Sequence, residues 1–191
     1  MNKVIVLMSV TVLLFSAAAQ ETPGGMASMS DSTMMLDMTS EADYIAHMIA
    51  HHQEAIDSAT LFAVTTSRPE LKDFAQRISS AQRSEVALMQ GWFKDWYPDM
   101  PKATLYTPMM RDFVALDGDA SDRMFLEDMI AHHRMAVGAS DQLLENNLAE
   151  HEEVAELARA IVETQQSEIL LMQAWLHNWY GVTGNKMDRN Q

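Results

Sequence analysis

The chain has no cysteine. Disulfides, thiolate metal sites and cysteine nucleophiles are excluded, so any metal must be held by imidazole, thioether, carboxylate or backbone oxygen. Basic residues are scarce: 13 Lys and Arg stand against 27 Asp and Glu, for a formal net charge of −14. That balance argues against nucleic acid and anionic membranes as partners and is compatible with attracting cations. There are only 7 glycines and 5 prolines in 191 residues, and no useful run alternates apolar with polar residues as a half-buried strand would. No Gly-rich phosphate loop is found, nor a nucleophile with a matched base. Long helices in one domain with an adequate core are what is left.

The longest hydrophobic run is residues 4–19, behind Lys3. It falls short of the ~20 residues a spanning helix needs. With the small residues Ala17 and Ala19 at its end it reads as a signal peptide cleaved after Ala19. This predicts a periplasmic or secreted protein with no stable membrane anchor after cleavage. Residues 20–39 form a polar tail carrying Met26, Met29, Met34, Met35 and Met38, read as disordered until something orders it. Flexible thioethers at short spacing suit a soft monovalent cation; a low-complexity linker is the plainer reading.

What the chain does have, it has twice. Residues 47–52 (HMIAHH) return as 128–133 (DMIAHH), and 84–92 (SEVALMQGW) return as 167–175 (SEILLMQAW). Four helical patterns carry these motifs. The first runs from about Ser40 to Thr65. The second opens on a capping box at Ser67 and Glu70 with Pro69 in its first turn and reaches Trp96. Ser121 is expected to cap the third, which ends near Glu145. A second capping box, Asn147 to Glu150, opens the fourth, which ends near Tyr180, with Gly181 and Gly184 beyond. The repeat halves are thus 40–97 and 121–180, joined by a linker over 98–120 in which residues 109–116 are expected to form a short helix that Gly118 breaks; 181–191 is a C-terminal tail. Two tandem helical hairpins make an all-α four-helix bundle.

Helical phase then decides which residues point inward. His52 and His133 fall on the apolar stripes of the first and third helices. In the second the stripe is Leu71, Phe74, Ile78, Ala81, Glu85, Leu88, Trp92, and in the fourth Val154, Leu157, Ile161, Thr164, Glu168, Leu171, Trp175. At ~1.5 Å rise per residue, His52 and Glu85 lie within a turn of one another in level, as do His133 and Glu168. Met48 and Met129 stand four residues before these histidines, and Met89 and Met172 four after the glutamates. The expected interior is a His/Glu layer stacked on a methionine layer. His51 and His132 sit beside the seam. His47, His151 and His177 are assigned to solvent, and Trp92, Trp96, Trp175 and Trp179 to closing one end of the core. The candidate metal ligands are Met48, His51, His52, Glu85, Met89, Met129, His132, His133, Glu168 and Met172. For a single His–Glu pair, a structural hydrogen bond is the plainer reading; for the methionines alone, core filling. The convergence of two such pairs points instead to a metal. His and Met without Cys favour copper, with zinc or iron as alternatives.

The pattern Met-Ile-x-His-His, followed by Gln82-x-x-Glu85-x-x-x-Met89-x-x-Trp92 and Gln165-x-x-Glu168-x-x-x-Met172-x-x-Trp175, resembles the domain-of-unknown-function 305 family over residues 40–180. Residues 118–125 look like that family's lead-in to its second His-His motif. The resemblance implies a ferritin-like four-helix fold. Because some members are periplasmic copper-binding proteins that support copper resistance, it also implies copper binding through Met48, His51, His52, Met129, His132 and His133. A copper-delivery protein would then be a partner. A ferritin-like fold raises metal-oxidase chemistry as an alternative, but the chain has no Glu-x-x-His and two inward carboxylates are too few for a di-iron site. A metal-free bundle that binds a partner protein is the other alternative. A binding protein, not an enzyme, is the expectation.

Overall fold

The computed structural model describes residues 38–100, 106–116 and 118–182. The expected signal peptide (residues 1–19), residues 20–37 of the expected tail, linker residues 101–105 and 117, and residues 183–191 lie outside the described residues. Four helices follow in order: α1 (Glu41–Thr65), α2 (Pro69–Trp96), α3 (Gly118–Glu145) and α4 (Glu152–Tyr180). Among the described residues there is no strand, and the fold is the expected all-α four-helix bundle of two hairpins. No helix of the described residues is long and apolar enough to cross a membrane. Near the start of α1, Tyr44 hydrogen-bonds Ser140 near the end of α3 at 2.9 Å. Thr66, after α1, donates to Asp122 at the start of α3 at 2.8 Å. The two central helices therefore run antiparallel, and the crossover returns along the bundle.

The start signals differ from the expectation in three places. Ser67 is not the N-cap of α2; Arg68 is, with no side-chain cap, and its guanidinium reaches Asp122 at 3.1 Å and Asp119 at 2.7 Å. Asn147 takes a left-handed φ of 53° and ends α3. The N-terminus of α4 is instead capped from α1: the Glu41 carboxylate accepts from the backbone N–H of Glu150 (2.6 Å) and His151 (2.8 Å). Ser121 is buried within α3, which already starts at Gly118 with φ 45°. The crossover residues 109–116 contain only a turn, not a helix.

Glu41 and Asp122 are repeat equivalents, and each fastens the hairpin turn of the other half. The N-cap residues are equivalent too: His151 stacks on Trp96 with ring centres 3.7 Å apart, and Arg68 lies 4.6 Å over Trp179. The tryptophans thus close both ends of the bundle, one pair on each, and not one end as expected. Each pair is itself stacked, Trp92 on Trp96 at 5.6 Å and Trp175 on Trp179 at 5.4 Å.

The buried stripes of α2 and α4 also correct the sequence reading. They run Leu71, Gln82, Phe93 and Val154, Gln165, Leu176 at eleven-residue spacing, with Val86, Met89, Ile169 and Met172 inside. A nearly straight helix keeps that period, whereas a heptad stripe drifts off the core face by ~20° per seven residues. Leu88 and Leu171, assigned inward, are accordingly 51% and 39% exposed. Met38, assigned to the tail, is buried against the first half of α1.

Truncation of Glu41 to alanine strands two amide donors at the start of α4. The expected cost is about 2 kcal/mol, from a lost cap and unsatisfied buried donors, read as a lower urea midpoint with unchanged slope.

Candidate metal centre

The apolar core is not continuous. One cluster holds the second half of α1, the first halves of α2 and α3, and the end of α4. The other holds the complementary halves. Between them lies a polar band in which His51, His52, His132 and His133 are all at most 1% exposed. His51 and His132 meet where α1 crosses α3, with ring centres 3.6 Å apart. The expected level match is met: His52 Nε2 lies 2.8 Å from Glu85 Oε2, and His133 Nε2 lies 2.7 Å from Glu168 Oε2. Both glutamates keep about a fifth of their side-chain surface exposed.

The methionines do not form one layer. Because α1 and α3 are antiparallel, Met48 and Met89 fall in one core cluster and Met129 and Met172 in the other. The histidine band is flanked by a methionine pair on each side, all four fully buried. His47, assigned to solvent, is 4% exposed, with its ring centre 6.1 Å from that of His51 and 5.7 Å from Tyr106. His151 is half-buried, and His177 is exposed as expected.

Four further residues belong to this band. Glu54 accepts from the hydroxyl of Tyr106 and from the backbone N–H of Met109 (2.8 Å) and Met110 (3.0 Å). It lies 3.4 Å from His132 Nε2, which also donates to the His51 carbonyl at 3.1 Å. Burial raises the Glu54 pKa, but hydrogen bonds from His132, Tyr106 and the Met110 amide outweigh it and hold the carboxyl down at about 2. Met109 and Met110 are therefore backbone-anchored over the band. Gln82 and Gln165 are buried with unpartnered Oε1 atoms. These two could have been found, since they recur at equivalent places in the repeated motif. Glu54 and Tyr106 could not, because Glu54 corresponds to Met135 and Tyr106 lies in the linker.

The hydrogen bonds fix the tautomers. A carboxylate or carbonyl only accepts, so in the neutral imidazoles of His52, His132 and His133 the proton sits on Nε2. Their Nδ1 atoms carry the lone pairs, and all three are buried without a partner. An imidazole that donates one N–H to a carboxylate and turns its other nitrogen to a metal is the usual ligand arrangement in metalloproteins. Glu85 and Glu168 fit the role of orienting and polarising the histidines better than that of ligands. Among the described residues no three His, Asp or Glu side chains converge as a ready chelate, so a bound ion would need thioethers to complete its shell.

The model of the domain of unknown function DUF305 matches residues 41–121, 98–176 and 122–190. The chain belongs to the DUF305 family. The solved structure of CopM in its Cu(I)-bound form is 34% identical, with a TM-score of 0.67 over 75% of this chain and 100% of that one. The Cu(II)-bound form of CopM is 32% identical, with a TM-score of 0.65 over 74% and 99%. A DUF305 protein from Streptomyces coelicolor is 28% identical, with a TM-score of 0.63 over 71% and 90%. No curated protein shows a significant match.

The band makes the fold acid-sensitive. Burial pushes His132 down to about 4 against the pull of Glu54, and burial with the neighbouring histidines holds His51 well below the usual range. A depressed histidine pKa means that stability is full above the unfolded value near 6.5 and is lost as pH falls towards the folded value. For His132 alone the expected loss between pH 7.5 and pH 5 is about 2 kcal/mol, measured by urea unfolding. Glu54 adds nothing in that window, since its contribution is lost only below about pH 4.5. Equal stability at the two pH values would contradict burial of neutral imidazoles.

Proposed function

We propose that the protein binds copper outside the cytoplasm, sequestering or passing on the ion through His and Met side chains and so supporting metal tolerance. The observation that carries this reading is the set of buried, unpartnered Nδ1 atoms on His52, His132 and His133, each backed by an Nε2–H donated to a carboxylate or carbonyl. Leaving such atoms unsatisfied costs about 1–3 kcal/mol each, and an ion supplies what they lack. Thioethers one helical turn away, on Met48 and Met129, add soft donors that select Cu(I). The likeness to CopM structures solved with Cu(I), Cu(II) and silver supports the same choice, with zinc and iron as less suited ions. The signal-like residues 4–19 support a periplasmic or secreted location. The acidic composition favours cation capture, and a copper-delivery protein would be the exchange partner.

Binding, not catalysis, is proposed, because the inward carboxylates already take histidine N–H groups and no ferritin-like cluster of carboxylates converges among the described residues. The metal-free partner-binding reading has one observation of its own: Leu88, Leu170 and Leu171 are exposed on α2 and α4.

The deciding experiment loads the purified chain with Cu(I), Zn(II) and Fe(II) in competition and measures retained metal by mass spectrometry. Copper retained by the unaltered chain and lost from the His52→Ala/His133→Ala variant is the expected result. In the Glu85→Gln/Glu168→Gln variant the stoichiometry should hold while affinity falls 10–100-fold, the usual effect of removing an orienting carboxylate. Retention of iron would favour the oxidase reading, and no retained metal the partner-binding one.

A further inference from the structure

The crossover lies over one edge of the histidine band, and what holds it there differs from what holds the helices. Beneath it are His47, His51 and His132, at most 4% exposed. The Tyr106 ring forms the wall, 5.7 Å from the His47 ring and edge-on at 6.0 Å to that of His51. Two carboxylates clamp the segment. Glu54 of α1 accepts three hydrogen bonds from it, donated by the Tyr106 hydroxyl and the amides of Met109 and Met110. Asp128 of α3 accepts from the backbone N–H and the guanidinium of Arg111. From Tyr106 to Asp112 every residue is half-buried or exposed. Phe113, 3% exposed, is the apolar anchor, with its ring edge-on to both Phe62 and Phe125. A segment held by polar contacts along its length and by one apolar anchor at its end opens locally at lower free energy than packed helices do.

The clamping pair exists once, as the crossover does, since Glu54 corresponds to Met135 and Asp128 to His47 in the repeat. The band also approaches solvent through Glu85 and Glu168, but each of these holds a histidine. Entry there breaks the pairs that orient His52 and His133, whereas lifting the crossover leaves both intact.

We propose that residues 106–112 form a strap, hinged at Phe113, whose lifting from Glu54 and Asp128 admits the ion to the histidine band. The cargo rests on the copper reading above; the strap adds no ligand to that reading and supplies the way in. Opening frees two carboxylates at the mouth, and an acidic rim draws in cations. On closure the tyrosine hydroxyl, two amides and Arg111 take up those carboxylates again, so the attraction is switched off behind the ion.

The test has a metal-free arm and a copper arm, both on the whole purified chain. In the metal-free chain, the amides of Met109, Met110 and Arg111 should exchange hydrogen together, ahead of those of α1 and α3, at a rate that low urea leaves unchanged. Diethyl pyrocarbonate, which acylates neutral imidazole, should label His47 and His51 slowly relative to the exposed His177, read by peptide mass spectrometry. Tyr106→Phe is expected to speed labelling of His47 and His51 about 10-fold, the effect of losing a hydrogen bond to a charged group. Arg111→Gln should speed it about 5-fold, less because that charge is screened at the surface. His52 and His133 should keep their rates. In the copper arm, Arg111→Gln should release Cu(I) to excess chelator about 5-fold faster, with the same number of ions bound. Strap amides that exchange only when the whole chain unfolds would overturn the proposal, and the unaltered chain decides this even if a variant does not fold. Labelling that rises equally at His52 and His133 would overturn it too, as would opening without faster copper release. A chain that binds no copper would sink the copper reading, while selective labelling of His47 and His51 in the variants would still uphold the strap as the door to the band.

Discussion

The contact on which the rest depends is the meeting of His51 and His132 where the two central helices cross, ring centre to ring centre at 3.6 Å. Imidazole at the middle of a bundle is costly because its nitrogens are taken out of water. Each neighbouring feature answers that cost. His132 turns its N–H to the His51 carbonyl and to Glu54. His52 and His133 take carboxylates from the flanking helices. The crossover delivers Tyr106 and two backbone amides to hold Glu54 in place. The apolar core has to be built in two pieces on either side, and those pieces, rather than the band, hold the methionines.

Antiparallel packing of α1 and α3 turns the sequence repeat into a pseudo-twofold axis through this band. Its consequences reach both ends of the molecule. Glu41 and Asp122 fasten opposite hairpin turns, and Trp96 and Trp179 each cover the N-cap residue of a neighbouring helix. The symmetry fails at two places inside the band, His47 against Asp128 and Glu54 against Met135. Both departures lie on the side of the band covered by the crossover, which exists only once and cannot serve both halves alike. The crossover breaks the equivalence of the two halves, so chemistry on that side need not be duplicated.

Much of this was legible beforehand. Helix number and the ends of α1, α2 and α4 follow from periodicity and from Gly181, and the His52–Glu85 and His133–Glu168 pairs follow from counting residues to and from each hairpin turn. The errors have physical causes. A heptad stripe sent Leu88 and Leu171 inward because it ignores the drift of a straight helix. Ser67 and Asn147 were read as caps from local chemistry, while α2 has no side-chain cap at all and a carboxylate from α1, Glu41, caps α4. His47 was sent to solvent because its neighbour across the core, Tyr106, comes from the linker, which carries no periodic signal.

The sequence by itself determined which residue types meet. Without cysteine, donors are limited to imidazole, thioether and carboxylate, and the doubled motif places them at matching heights on paired helices. Tertiary structure alone decided the relative direction of the two hairpins, and with it the split of the methionines into two layers and the spread of the tryptophans to both ends. It also decided which nitrogen of His52, His132 and His133 is left free. That choice is made by where a carboxylate or carbonyl arrives in space, and no spacing along a single helix contains it.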